Sequence, residues 1–168
     1  MDTKNIIESV INYNMDVVTK RYAKEQDLPI EIAKEHEIEL KRFLALCALK
    51  DDGTYSMRGP IDEFWHTFVV FTELYSEFCF KVANKFIHHM PNTDDPFQPR
   101  YSMKESETQE KDKEKVVKLR EGYKKFLSDY EHIFQSPAPA HLWPRISEDY
   151  EEFAGAGCVC GCGCRCIA

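Results

Sequence analysis

Between Ile61 and Ile87 the apolar residues recur at helical spacing. Ile61, Phe64, Trp65, Phe68, Thr72, Tyr75, Phe78, Cys79, Val82 and Phe86 fall on one broad stripe. A stripe repeating at about 100° per residue is what a helix with one face turned to a core requires. The spacing predicts one long helix over 61–87, at the centre of the fold. Such a helix needs others to cover it, and three more periodic segments are available. The first runs from about Asn5 to Tyr22, through Ile6, Val10, Ile11, Val17 and Val18. The second begins at Asp27-Leu28-Pro29, where Asp can cap and Pro suits the first turn, and ends at Asp51-Asp52-Gly53. The third spans Lys113 to Phe134, with Val116, Leu119, Tyr123, Phe126, Leu127 and Tyr130 on its apolar face.

The connections are legible as well. Pro91, Pro96 and Pro99, followed by a crowd of charges, read as an exposed loop or disordered connection over 91–112. Ser136-Pro137-Ala138-Pro139-Ala140 is extended, because prolines forbid a helix there, and His141-Leu142-Trp143-Pro144 is expected to pin that strap to the bundle. No strand is expected. The fold class is therefore all-α: a single bundle of about four helices over residues 1–153, with a disordered, flexible Gly/Cys-rich tail over 154–168.

Charge and hydropathy limit the partners. The net charge is −7, a sign that repels phosphate backbones and anionic headgroups, so neither nucleic acid nor a membrane is expected. No apolar run approaches the roughly 18–20 residues that cross a bilayer. The start, Met1-Asp2-Thr3-Lys4-Asn5, shows no signal-peptide pattern, so a cytoplasmic location follows. Thiols stay reduced there, and seven cysteines point to metal or reactivity rather than a disulfide scaffold.

Five of those cysteines, Cys158, Cys160, Cys162, Cys164 and Cys166, stand at every second position of the tail. Four thiolates fill a tetrahedral zinc site and fewer suffice for copper(I). The other readings are an inert reduced tail or strained, easily reduced CxC disulfides. Cys47 and Cys79 lie on apolar faces and read as small buried hydrophobes.

A second polar cluster is suggested on the 61–87 helix. Asp62 and His66 are one turn apart and Glu73 follows seven residues later, while His88 and His89 sit at the helix end, where one could fold back. A carboxylate–histidine group of this kind can hold a divalent metal or position a general base. The structural alternative is an Asp favoured by the helix dipole and paired with His66. His36, His132 and His141 look isolated, with surface or capping roles.

The run Ile61-Asp62-Glu63-Phe64-Trp65-His66-Thr67-Phe68, then Phe86-Ile87-His88-His89-Met90-Pro91 and Leu142-Trp143-Pro144, resembles a family of small, mostly bacterial, uncharacterised proteins described as glycine-rich-domain-like. The resemblance covers roughly residues 40–145 and implies that Asp62, Trp65, His66, Tyr75, His88 and His89 belong to a shared pattern. It implies no activity. Larger plant glycine-rich-domain proteins carry a W-H-x-H element whose second His is Phe68 here.

Three functions compete. The first is a binding protein whose tail takes zinc or copper(I). The second is a precursor of a ribosomally made peptide, with the cysteines as substrate for a thiol-modifying enzyme. The third is a metal-dependent enzyme using Asp62, His66, His88 or His89, for which no nucleophile motif, phosphate loop or cofactor fingerprint speaks.

Overall fold

A computed structural model of the chain describes residues 2–50, 54–89, 105–145 and 158–161. Among them the protein is mostly helical, as expected, but with six α-helices rather than about four: α1 (Thr3–Ile11), α2 (Asp16–Glu25), α3 (Ile30–Leu49), α4 (Pro60–Val70), α5 (Thr72–Glu77) and α6 (Glu105–Phe134). Two short strands, β1 (Thr54–Met57) and β2 (Cys158–Gly161), complete it.

The extra helices come from breaks inside segments whose periodicity reads as continuous. Residues 5–22 divide at Asn12-Tyr13-Asn14, where the Asn14 side chain accepts the Asp16 N–H at 2.8 Å, the local bond by which Asn competes with a helix. Asp27, expected to cap α3, instead turns left-handed (φ 51°) and closes α2. The 61–87 helix divides too. Phe71 leaves the helical region (φ −78°, ψ 65°) within Val69-Val70-Phe71-Thr72, a run of β-branched and aromatic residues of low helix propensity. After α5 the chain widens into a π-helical turn, Phe78–Val82, and Asn84 in the left-handed region (φ 58°) ends it. Most of the apolar face survives these breaks: Ile61, Phe64, Trp65, Phe68, Tyr75, Phe78 and Cys79 are all buried, whereas Thr72 and Phe86 are exposed.

The central helix is α3, not the 61–87 segment. It packs against α1, α2, α4 and α6, and every residue from Leu44 to Ala48 is buried. A helical stretch apolar all round, as the last turns of α3 are, belongs in the interior. Phe43 sits at the hub, with ring centroids 5.0 Å from Phe126, 5.5 Å from Trp65 and 5.9 Å from the near-parallel ring of Trp143.

α6 begins at Glu105, so the last part of the 91–112 connection, 105–112, is helical; Glu, Gln and Lys there are strong helix formers. The proline-rich strap after α6 is pinned as the sequence implies. Gln135 turns left-handed (φ 53°) to end α6, and Leu142 and Trp143 are buried. That docking constrains Gly59, at the entry to α4. Its φ is +92°, and a Cβ there would lie 2.9 Å from the Leu142 carbonyl oxygen, so both conformation and space call for glycine.

The strands depart from the all-helical expectation. β1 pairs antiparallel with β2, in the register Thr54↔Gly161 to Met57↔Cys158. β1 lies against α6, with Tyr55 and Met57 buried and the Tyr55 hydroxyl donating to Asp129 at 2.5 Å. Cys158–Gly161 of the tail is thus extended and paired through its backbone. The acidic segment Ser147–Phe153 and Cys162, Cys164 and Cys166 lie outside the described residues. No helix among the described residues is long and apolar enough to cross a membrane.

Candidate functional site

The five-residue cluster suggested by the sequence resolves into three residues that meet and two that do not. Asp62 and His66 rise from α4 one turn apart, and His89 is brought back to them from beyond the π-helical turn. The His89 Nε2 is 3.0 Å from Asp62 Oδ1, and His66 Nε2 is 4.0 Å from the same oxygen. One potential ligand atom from each residue lies within 4.8 Å of the others. Glu73 is not part of it: the break at Phe71 places it in the first turn of α5, exposed. His88 is exposed as well, its ring 4.8 Å from Phe86.

What returns His89 is a buried hydrogen-bonded chain. The Trp65 indole N–H donates to the Tyr75 hydroxyl at 3.2 Å, and that hydroxyl donates to the Ile87 carbonyl. Burial pushes the Tyr75 phenol well above its ordinary pKa, and the neighbouring Cys79 adds to the shift. The phenol therefore stays protonated and able to donate. Ile87 is fully buried, which fixes the backbone two residues before His89. The His89 ring then packs edge-on against Trp65 at 4.5 Å and 4.5 Å from the His66 ring. Its side chain is 5% exposed, against 43% for His66. One imidazole is fixed and the other reaches solvent.

Sequence reasoning missed Glu63. Its Oε2 stands 3.7 Å from His66 Nδ1, on the ring edge away from Asp62; the signal was its three-residue spacing from His66. It also missed two buried polar groups. His36, taken as isolated, is 5% exposed and its Nδ1 lies 2.9 Å from the Tyr22 hydroxyl. Burial lowers its pKa, Glu35 opposes that shift and His141 adds to it, so the neutral ring is favoured. Tyr22 is pushed up to about 12, by burial first and Glu63 second. His141 is exposed and pairs with Glu35 at 2.9 Å. Glu39, buried on α3, accepts from Arg42 at 2.8 Å, Trp143 at 2.7 Å and Tyr130 at 3.0 Å.

Cys47 and Cys79 are buried and in no disulfide, as the apolar faces imply. Burial raises the Cys79 pKa, outweighing hydrogen bonds to the Ile87 backbone and Tyr75. That makes it a poor nucleophile. Of the tail cysteines, Cys158 and Cys160 stand in β2, with backbone partners Met57 and Tyr55.

No curated protein and no solved structure matches the chain significantly. A protein-family match does: it runs over residues 3–96, taking in Asp62, His66 and His89 and stopping before α6 and the five tail cysteines. With more than half of its 168 residues matched, the chain belongs to the UCP032817-like family.

Proposed function

We propose that the protein is a thiolate-based metal-binding protein, in which a helical body presents Cys158, Cys160, Cys162, Cys164 and Cys166 to zinc or copper(I). The observation that carries this reading is the strict alternation of five cysteines, beginning at the strand that lays the tail onto β1. A strand puts alternate residues at same-face positions, so Cys158 and Cys160 occupy equivalent register positions at the edge of the body. Four thiolates complete a tetrahedral zinc site, and two or three satisfy copper(I). Binding would release thiol protons and order the ligands around the ion. Reduced thiols suit a cytoplasmic setting. The run Asp62 to Phe68 and the segment Phe86 to Pro91 also support kinship with small glycine-rich-domain proteins.

The test is the metal content of full-length protein purified without oxygen, beside a chain with all five cysteines replaced by serine. The expected result is about one thiolate-bound zinc per chain, so that the serine chain holds about one zinc fewer than the full chain. Equal zinc content in both chains overturns the reading. Intact mass on the same sample addresses the peptide-precursor alternative. A cleaved or covalently altered tail would favour that alternative, and an unmodified chain removes it.

A further inference from the structure

We propose that Asp62, His66 and His89 bind one divalent first-row transition-metal ion, of the zinc or iron(II) class, at a site separate from the tail cysteines.

The distances are near those such an ion needs, the three ligand atoms lying within 4.8 Å of one another. With metal–ligand bonds of about 2.0–2.1 Å, a tetrahedral centre has ligand–ligand edges of roughly 3.3–3.4 Å. The His89–Asp62 edge is 3.0 Å and the His66–Asp62 edge 4.0 Å, one slightly short and the other slightly long. The adjustment falls mainly to His66, whose side chain is 43% exposed and has room to turn. His89, 5% exposed and packed against Trp65, supplies the fixed point.

Glu63 adds an independent sign. Metal-bound histidines regularly turn their second ring nitrogen to a carboxylate, which orients the ring and makes it a stronger ligand. His66 stands between two carboxylates, Nε2 4.0 Å from Asp62 and Nδ1 3.7 Å from the exposed Glu63, distances that a turn of the side chains would close to a ligand bond and a hydrogen bond. An Asp62–His89 pair alone would account for two of the three residues. The third residue, His66, brings a second imidazole whose ring lies 4.5 Å from the first, with Glu63 on its far edge.

The donor set decides the class of ion. Two imidazoles and one carboxylate are poorly matched to calcium and magnesium, which take oxygen ligands, or to copper(I), which takes sulfur. They suit zinc, iron(II), cobalt(II) and their neighbours. Three protein ligands leave a coordination position for water or an exogenous ligand, and the exposed His66 gives solvent a way in.

The experiment uses the full-length chain with the five tail cysteines changed to serine, so that thiolates do not compete. Cobalt(II) is the probe, followed by its visible absorption and displaced by zinc. The expected result is one saturable equivalent with no sulfur-to-cobalt charge-transfer band. Asp62→Asn, which keeps an acceptor for His89, and His66→Ala, at an exposed position, should each weaken binding by more than about 100-fold. Glu63→Gln should weaken it by about 10–100-fold, the usual effect of losing a carboxylate behind a metal-bound histidine. Absence of saturable binding overturns the proposal, as does equal affinity in the parent, Asp62→Asn and His66→Ala chains. A persistent sulfur band would assign the ion to Cys47 or Cys79 and overturn it too. Because the tail thiolates are absent throughout, the result is independent of the reading of the tail.

Discussion

Two carboxylates in the helical body, Glu39 and Asp62, illustrate opposite uses of a sheltered charge. Glu39 is surrounded by groups that donate to it. The Arg42 guanidinium, the Trp143 indole and the Tyr130 hydroxyl converge on its two oxygens, and the side chain is 4% exposed. The network joins α3, α6 and the strap, and Arg42 also lies 5.4 Å from the Phe134 ring centre. Asp62 faces two imidazoles, which can donate, accept or ligate as their tautomer allows, and one side of the group is open to solvent. A carboxylate closed in by donors holds a fold together. One flanked by exchangeable ligands on an open side can serve a guest.

Substitution should separate the two. Glu39→Ala strands two buried aromatic donors, Trp143 and Tyr130, and takes the carboxylate from Arg42, whose side chain is 34% exposed. Leaving buried donors unpaired costs about 1–3 kcal/mol each, together a large share of the roughly 5–15 kcal/mol of a typical domain. Urea denaturation of the full chain should show a loss of that size. A loss below about 1 kcal/mol would mean that Glu39 is no more structural than a surface charge, and the contrast would fail.

Tyr75→Phe tests how the open site is held. The hydroxyl accepts from Trp65 and donates to Ile87, so its removal leaves a buried N–H and a buried carbonyl unpaired, at about 1–3 kcal/mol. The change should also loosen His89 and lower cobalt affinity in the five-serine chain. Unchanged cobalt affinity together with the loss of stability would show that the Trp65–Tyr75–Ile87 chain supports the core without positioning His89.

These two carboxylates were not equally legible in the sequence. Asp62 and His66 are local, one helical turn apart, and spacing alone puts them together. His89 could be named as a candidate but not chosen over His88. The choice is made by the π-helical turn and by Asn84, which set the phase of the chain after α5. Periodicity cannot register such a phase change, because an apolar stripe reads the same across a break whose two sides face one core. Glu39 could not be found at all. Its partners Tyr130 and Trp143 are 91 and 104 residues away, and a lone Glu on a helix carries no mark of being buried. The centrality of α3 was visible in the unbroken apolar run Phe43–Ala48, but the longer stripe after Ile61 outweighed it. β1 escaped because Thr54–Met57 is too short for alternation to register, and its packing against α6 is a tertiary effect.

The smallest effect makes the sharpest comparison. Without metal, His66→Ala removes a part-exposed ring that lies 4.5 Å from the His89 ring and whose carboxylate neighbours stand 3.7 and 4.0 Å away. Surface contacts of that kind are worth about 0–1 kcal/mol, so the variant and its parent, both in the five-serine background, should unfold within about 0.5 kcal/mol of each other. Zinc should then part them. At a free concentration 100 times the dissociation constant, a ligand that binds only the folded state adds about 2.7 kcal/mol, and the parent alone should gain it. Equal stability without metal and unequal stability with it is the behaviour of a ligand site. A His66→Ala chain that is strongly destabilised without metal would place His66 beside Glu39, as one more piece of the closed framework.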